Sequence, residues 1–278
     1  VQASGKFENI LLPVNRGGSN LFVNSLLEDT TRQCIWIGME GYLFQYNPTT
    51  GEMKAIEVFH NNSIKSLALD GDENLLAGTD NGLYVYQNDK EPLQHIIHDS
   101  RNIQSLTNNI IWNIFSDQEH NIWLGTDYGI SLSRYNSALQ FVPISQITGT
   151  GDGNQFYSLF RDSKGFYWFG GTNGVIRFTH PAGNKHDAIW YRMGDKKHPL
   201  SHNRIRHIYE DREQQLWIAT DGSINRYDYN THQFVHYNIV DSTGTYNTNW
   251  AYYLFEDTDG KLWIATCLGG IFVVDKHK

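Results

Sequence analysis

A motif that recurs at intervals of 40 to 49 residues constrains the fold of this chain more than any other feature. The letters LWIAT occupy 216–220 and again 262–266, and related letters mark four further copies. Because repeats of this length bury their apolar side chains against one another, the six copies predict one repetitive architecture. The anchor residue is tryptophan in every copy except the second: Trp36, Leu76, Trp123, Trp168, Trp217 and Trp263.

Two further positions keep a fixed distance from the anchor. An aspartate precedes it by six residues in five copies and by seven in the first, which indicates a hairpin of nearly constant length. A glycine or alanine follows it by two residues, and we predict that this small residue lets the neighbouring copy approach closely. The aspartates are Asp29, Asp70, Asp117, Asp162, Asp211 and Asp257. The small residues are Gly38, Gly78, Gly125, Gly170, Ala219 and Ala265.

Each copy contains four short segments with the alternation and the β-branched and aromatic residues typical of strands. In the fifth copy these segments span 204–210, 216–220, 223–228 and 233–238. No amphipathic helix is predicted. Four strands per repeat form one blade of a β-propeller, so the predicted fold class is all-β, with four-stranded antiparallel blades. Six repeats are visible, which fits six blades or part of a seven-bladed propeller.

The two ends of the chain suggest how the ring closes. The sixth copy stops after its third strand, at 271–276, and the segment at 6–12 resembles a fourth strand such as 233–238. We therefore expect the N-terminal segment to complete the last blade, so that residues 1–278 form a single propeller domain.

Charge and cysteine content exclude several classes of function. A net charge of −8 without a local Lys/Arg cluster argues against nucleic acid as a partner. Two cysteines are too few for a disulfide framework or a thiolate zinc site. Cys34 precedes its anchor by two residues and Cys267 follows its own by four, which places them at opposite ends of the second strand, so both are predicted to be free thiols. No metal and no cofactor are predicted.

Three segments together resemble the two-component regulator propeller repeat. They are LSHNRIRHIYEDREQQLWIAT (200–220), FEDTDGKLWIAT (255–266) and SLTNNIIWNIFSDQEHNIWLGTDYGI (105–130). The first two copies depart from the pattern, with Leu76 in place of tryptophan and CIWIGMEGY in place of the usual WIGT-x-x-G.

That resemblance implies a periplasmic sensor propeller of a hybrid two-component histidine kinase and response regulator, of the kind that controls glycan use in gut Bacteroidetes. Whole sensors of this kind resemble two propellers followed by a β-sandwich, a membrane span, a kinase and a DNA-binding regulator. We therefore expect this chain to be a fragment without enzyme activity. The implied partners are the remaining sensor domains, a second copy in a homodimer, and an oligosaccharide.

Candidate ligand residues follow from a comparison of the copies with one another. Five of the six copies carry an asparagine eight residues before the aspartate, at the entry to the first strand, where we expect its side chain to bond to the turn backbone; a ligand-facing ring of asparagines is the alternative. The next residue differs in every copy, and topology places it on one rim together with the loops between the second and third strands. Sugars stack on aromatic faces and bond to carboxylate, amide or guanidinium groups. The alternative for the tryptophans is simple packing between blades. The candidates are Trp250, Arg204, Tyr128, Asp127, Asn173, Trp112 and Tyr246.

Two other functions remain open at this point. A propeller can bind another protein through a flat rim with an apolar patch, without a small ligand. Less expected is a polysaccharide lyase or hydrolase, since propellers also host such enzymes. That function requires His, Tyr or carboxylate groups that converge at the central channel.

Overall fold

The computed structural model describes residues 9–14, 22–56, 62–87, 94–136, 141–148, 154–179, 187–197, 199–244, 248–274 and 276. Within these residues the chain forms six antiparallel sheets, each built from consecutive strands. The predicted all-β propeller fold is confirmed. No helix among the described residues has the length and apolarity that a membrane crossing requires.

Each sheet is one blade, and we name its strands A to D in chain order. Blade one contains β1 (Val23–Asp29), β2 (Cys34–Met39), β3 (Tyr42–Tyr46) and β4 (Met53–Ile56). Blade two contains β5 (Ile64–Leu69), β6 (Leu75–Thr79), β7 (Gly82–Tyr86) and β8 (Gln94–Ile96). Blade three contains β9 (Ile111–Ser116), β10 (Ile122–Thr126), β11 (Gly129–Ser133) and β12 (Phe141–Pro143).

The second half of the chain repeats this arrangement. Blade four contains β13 (Phe156–Arg161), β14 (Tyr167–Gly171), β15 (Gly174–Phe178) and β16 (Ile189–Tyr191). Blade five contains β17 (Ile205–Glu210), β18 (Leu216–Thr220), β19 (Ile224–Asp228) and β20 (Gln233–Tyr237), which agrees with the predicted segments to within one residue. Blade six contains β21 (Ala251–Glu256), β22 (Leu262–Thr266) and β23 (Gly270–Val274).

One short helix departs from the prediction. Helix α1 (Ile144–Thr148) follows β12 in the connection between blades three and four. Ile144 is fully buried in the core between these two blades, so tertiary packing holds a single helical turn that has no amphipathic period of its own.

The anchor tryptophan is held by the aspartate that precedes it. In blade three the indole N–H of Trp123 donates to Asp117 Oδ2 at 2.8 Å, and in blade four Trp168 donates to Asp162 Oδ2 at 2.7 Å. The same bond forms in blades one, five and six. The constant spacing therefore reflects a side-chain hydrogen bond in addition to the hairpin length, and this bond satisfies the buried indole N–H.

The core lies between the blades, where the anchors pack on the following sheet. The strands A of successive blades pack in order around the central axis. A Cβ added at Gly38 would lie 2.6 Å from Ile64, and one added at Gly78 would lie 2.6 Å from Ile111. The predicted close approach at the small residue is confirmed, because any larger side chain would push the neighbouring strand A away.

The prediction that the N-terminal segment completes blade six is wrong for the described residues. Leu12 and Val14 pack against Ile37, Met39 and Phe44 of blade one. Blade six has three strands, and residues 6–8 lie outside the described part of the chain.

Blades one and six each leave one face uncovered. On blade one, Val23 and Leu26 of strand A are exposed. On blade six, Phe255, Trp263 and Tyr253 are exposed, and the Tyr253 ring also stacks on His207 of blade five. The six described blades thus pack in sequence, while these two terminal faces have no blade against them.

The two cysteines are free, as predicted. Cys34 begins β2 and is buried, whereas Cys267 follows the end of β22. Burial raises the pKa of the Cys34 thiol, so this group is protonated and unreactive at neutral pH.

Candidate functional site

A β-bulge interrupts strand A in every blade. The second residue of the strand has no partner on strand B, while the residues on either side of it are paired. A bulge re-aims the side chain of the extra residue and is common beside functional sites. We name these six residues the bulge row: Asn24, Lys65, Trp112, Tyr157, Arg206 and Tyr252.

The bulge row lies at the end of the blades where strand A begins, which we call the entry rim. The connections from strand B to strand C lie on the same rim, because A and B are antiparallel. The rim opposite, which carries the A to B turns, is called the turn rim. The bulge row holds five different residue types in six blades, with tyrosine in blades four and six, so the blade fold does not dictate them.

A hydrogen-bonded network joins blades three and four at the entry rim. The indole N–H of Trp112 donates to Asp127 Oδ1 at 3.0 Å, and Gln155 Nε2 donates to the same oxygen at 2.5 Å. The Tyr157 hydroxyl donates to Gln155 Oε1 at 2.5 Å. The rings of Trp112 and Tyr157 meet edge to face with centroids 5.4 Å apart, and Lys65 Nζ lies 4.4 Å from the Trp112 centroid. These contacts fix two aromatic rings in one orientation.

A second group on the same rim is built on blades five and six. The Arg206 guanidinium donates to both carboxylate oxygens of Asp221, at 2.6 and 3.1 Å. Arg204 Nη1 lies 4.0 Å from Asp221 Oδ2. The Arg206 guanidinium also lies 4.9 Å from the ring centroid of Tyr252 and 5.7 Å from that of Trp250. A two-point ion pair therefore holds a cation against two partly exposed aromatic rings.

The two groups meet at Tyr157, whose surroundings set its protonation. Burial raises the pKa of Tyr157, while the nearby charges of Arg204 and Arg206 oppose that shift. Burial alone would lower the pKa of Arg206, but hydrogen bonds and charge attraction from Asp221 outweigh it and the pKa is raised. At neutral pH the site therefore presents a neutral phenol beside a permanent cation.

Together these side chains form one surface, the entry-rim cluster. Its members are Trp112, Asp127, Gln155, Tyr157, Arg204, Arg206, Asp221, Trp250 and Tyr252. The cluster combines aromatic faces with carboxylate, amide and guanidinium groups on a surface that is only partly exposed. Such a surface stacks on a ring and bonds to several hydroxyl groups.

The predicted site residues separate into three groups. Trp112, Asp127, Arg204 and Trp250 lie in the entry-rim cluster. Tyr128 and Asn173 are exposed in the loops between strands B and C of blades three and four. The Asn173 backbone carbonyl accepts the indole N–H of Trp190, so Asn173 also has a structural contact. Tyr246 lies outside the described residues.

Five members of the cluster were not among the predicted candidates. These are Gln155, Tyr157, Arg206, Asp221 and Tyr252. The variable position that the sequence comparison chose lies two residues before the bulge row. The bulge row itself also varies, with five residue types in six copies, which was the available signal, but a bulge cannot be located from spacing alone.

The asparagines at the entry to strand A have the structural role expected of them. Asn109 Oδ1 accepts the backbone N–H of His98 at 2.6 Å, and Asn203 Oδ1 accepts that of Met193 at 2.7 Å. Both bonds fasten the connection that arrives from strand D of the preceding blade.

A family model described as the two component regulator propeller matches four segments of the chain. They are residues 105–128, 150–173, 199–222 and 245–267. These segments lie in copies three to six and include the start of strand A, the A to B turn and the anchor. None of the curated proteins matches the chain.

Several solved structures are similar to the chain. Two crystal structures show the extracellular domain of BT4673 from B. thetaiotaomicron, which is described once as a one component system and once as a hybrid two component system. They are 83% and 84% identical to the chain over 100% of its length, with TM-scores of 0.47 and 0.48. The extracellular domain of the hybrid two component system BT3049 from the same organism is 20% identical over 93% of the chain, with a TM-score of 0.74. The chain spans 37% of the BT4673 structures and 34% of the BT3049 structure. It is homologous to extracellular domains of two-component sensors.

Proposed function

The chain belongs to the two component regulator propeller family, and on that premise we propose that it senses an oligosaccharide in the periplasm. The similarity to extracellular domains of hybrid two component systems supports a sensor. The entry-rim cluster supports the ligand class. In this proposal the intact protein regulates glycan utilisation.

The observation that carries the proposal is the pair of aromatic groups joined by Tyr157. Trp112 and Tyr157 on one side and Trp250 and Tyr252 on the other give flat apolar faces for the C–H surface of a sugar ring. Between them lies the Arg206 guanidinium, held by a carboxylate. This arrangement provides donors and acceptors for hydroxyl groups without a deep apolar pocket, which suits a polar ligand.

The remainder of the proposal concerns the whole protein. In this proposal the kinase and regulator functions belong to other parts of the protein, since the chain is similar to an extracellular domain and spans 37% of it. We place residues 1–278 in a single propeller domain and the intact sensor in a homodimer. Ligand binding at the entry rim then changes the arrangement of the two copies, and the remaining domains of the sensor pass on that change.

Calorimetry against a panel of glycan oligosaccharides tests the proposal. We expect one class of oligosaccharide to bind, and Arg206→Met and Trp112→Leu to weaken that binding at least about tenfold, because each removes a contact at the centre of the cluster. Arg226→Met is the matched control, since Arg226 donates to Gln215 of the same blade, away from the entry rim. Binding that is equal in all four proteins would contradict the proposed site.

A lyase or hydrolase would need a group able to take a proton at the same rim. The raised pKa of Tyr157 keeps its phenol protonated, and the partly buried imidazole of His207 stacks on Tyr253 with centroids 3.9 Å apart. The carboxylates of the cluster are engaged as well: Asp127 accepts hydrogen bonds from Trp112 and Gln155, and Asp221 pairs with Arg206. The geometry therefore favours binding over turnover. Release of unsaturated or shortened products from a polyuronate or an arabinan by the purified chain would replace the sensor proposal with an enzyme.

A further inference from the structure

Three of the blade interfaces are filled by an aromatic pair that the interface between blades two and three lacks. Trp123 of blade three packs on Tyr167 and Phe178 of blade four, with centroids 5.2 and 5.8 Å away. Trp36 meets Tyr86 and Trp168 meets Tyr227 in the corresponding way, with centroids 6.0 and 4.8 Å apart. Each pair joins the anchor of one blade to strand C of the next, and it fills the interface near the turn rim.

Smaller residues occupy all three of these positions between blades two and three. Leu76 stands at the anchor, where blade three has Trp123. Ile122 and Ser133, which pair across β10 and β11, stand where blade four has the cross-strand pair Tyr167 and Phe178. The substitution of three large aromatic side chains by smaller ones leaves space at this interface.

A cleft of about 370 Å³ opens at this place on the turn rim. Its apolar wall includes Val85 of blade two and Ile122 of blade three, and its mouth includes His120 and Tyr135. The rings of His120 and Tyr135 are 5.3 Å apart, and the Tyr135 hydroxyl donates to Asp72 at 3.4 Å. The cleft is thus bounded by two blades and by two rings at its opening.

Two polar groups in the cleft lack the partners that equivalent groups have elsewhere. In blade three, Asp117 Oδ2 accepts three hydrogen bonds, from the side chains of Asn121, Trp123 and Tyr167. In blade two, Asp70 Oδ2 accepts one, from Asn74 Nδ2 at 2.9 Å.

The second group is the hydroxyl of Ser133, which lines the same cleft. Ser133 is 3% exposed and lines the cleft, and within the described part of the chain its hydroxyl has no hydrogen-bond partner. A hydroxyl on the wall of a cleft without a protein partner is available to a polar atom of a ligand or to a water molecule.

From these observations we propose that the cleft between blades two and three binds a small planar nitrogen heteroaromatic molecule, with a ring the size of indole. The ring occupies the place of the absent tryptophan, between Val85 and Ile122. Its N–H donates to Asp70 Oδ2, as the indole of Trp123 does to Asp117 in the next blade. The carboxylate makes this a charge-assisted hydrogen bond, which favours ring N–H donors over rings of the same shape without one.

Binding of indole and benzofuran to the purified chain tests both the fit of the ring in the cleft and the hydrogen bond from its N–H to Asp70. The two molecules have the same shape, but benzofuran has an oxygen in place of the N–H. We expect indole to bind with a Kd on the order of 1 mM, as befits a small fragment, and benzofuran to bind at least about tenfold more weakly, equivalent to about 1.4 kcal/mol. Ligand-observed saturation-transfer NMR and calorimetry measure both affinities. Absence of indole binding, or equal binding of benzofuran, would overturn the inference.

Two variants that fill the cleft locate the bound ring. Leu76→Trp restores the anchor and Ser133→Phe restores the ring of strand C, so each is expected to abolish indole binding while the far-UV circular dichroism is retained. Leu268→Trp is the matched control for an added tryptophan, because Leu268 is fully exposed in a loop of blade six. Indole binding that persists in either cleft variant would place the ligand elsewhere and overturn the inference, and the second variant decides the question if the first does not fold.

Discussion

Blade three and blade six have nearly the same second strand, but they differ in what covers it. The indole of each anchor donates to its aspartate, at 2.8 Å for Trp123 and 2.6 Å for Trp263. Trp123 is 0% exposed beneath blade four, whereas Trp263 is 38% exposed. The local geometry of a blade is therefore the same whether or not the next blade is present.

This difference separates what a repeat specifies by itself from what its neighbour adds. The hairpin and the Asp to Trp hydrogen bond are formed within one repeat, from residues close in sequence. Burial of the anchor comes from the following repeat, as in other repeat proteins whose stability depends on interfaces between neighbours. The face with Tyr253, Phe255 and Trp263 has the apolar composition of an interface between blades. Among the described residues, no further blade packs against it.

The largest effect is expected from truncation of the two anchors. Trp123→Ala should lower the free energy of unfolding by about 3–5 kcal/mol, because it leaves a cavity between two blades and removes a donor from Asp117. Trp263→Ala should lower it by about 1 kcal/mol, since that side chain is already partly hydrated. Urea unfolding followed by circular dichroism measures both values. Equal losses would show that the comparison of the two blades is wrong.

Removal of Lys276 should have the next largest effect, because this residue ties blade six to blade five. Its ammonium lies 2.9 Å from Asp211 Oδ2 and 2.7 Å from Glu256 Oε1, and its side chain is 3% exposed. Lys276→Met leaves two buried carboxylates without their cation, so the free energy of unfolding at pH 7 should fall by about 4 kcal/mol. Lys261→Met on the A to B turn of blade six is the control and should change it by less than about 0.5 kcal/mol.

The same variant has a predictable pH dependence. Burial alone would raise the pKa of Asp211, but hydrogen bonds from Trp217 and Lys276 outweigh it and the pKa is lowered. The stabilisation from Asp211 is therefore present above the pKa of the unfolded carboxyl, about 3.9, and is lost as the pH falls through the lower pKa of the folded state. The difference between the parent chain and Lys276→Met should shrink below about pH 4. A difference that stays constant would show that the ion pair does not hold the two blades together.

Acid should weaken the interface between blades five and six at a higher pH through His207. Burial lowers the pKa of His207 to about 4 from an ordinary value of 6.5, and its Nδ1 accepts the Leu254 backbone N–H at 3.2 Å. Because the unfolded imidazole binds a proton that the folded one does not, stability should fall as the pH drops from about 6.5 to about 4, by on the order of 3 kcal/mol.

His207→Ser gives a matched test of that acid effect. Serine occupies the equivalent position in blade four, where Ser158 Oγ accepts the backbone N–H of Ile208 at 2.9 Å. The variant should keep the bond between the blades and lose the decline in stability between pH 6.5 and 4. Unfolding by urea at a series of pH values measures it. A decline of the same size in both proteins would assign the acid sensitivity to other groups.

The sequence predicts the blades well, because each one is encoded by local signals. Strand bounds in blade five, the free thiols and the close approach at Gly38 and Gly78 follow from turn residues, alternation and spacing. The described residues of the N-terminal segment do not complete blade six as predicted, because a strand pattern does not say which of two open apolar surfaces it covers. Leu12 packs on blade one.

The candidate site was predicted only in part, for a different physical reason. Trp112 was chosen as an aromatic residue near the start of strand A and Asp127 from its loop position, and the structure joins them by a hydrogen bond. Tyr157 and Arg206 were missed because the bulge that aims them at the entry rim depends on the pairing of strands A and B. The register in which two strands pair is set by tertiary packing, so it cannot be predicted from the spacing of residues along the chain.

The smallest effect on stability is expected from Phe255, on the open face of blade six. Phe255→Ser should change the free energy of unfolding by less than about 0.5 kcal/mol, because the ring is about half exposed already. Phe160→Ser, at the same strand position in blade four, should cost about 2 kcal/mol, since that ring packs against the core shared with blade five. Urea unfolding compares the two variants. Phe255→Ser should also reduce self-association of the chain in sedimentation velocity, because an exposed apolar patch of aromatic side chains promotes contact between copies. Equal costs for the two variants would show that blade six is covered in solution.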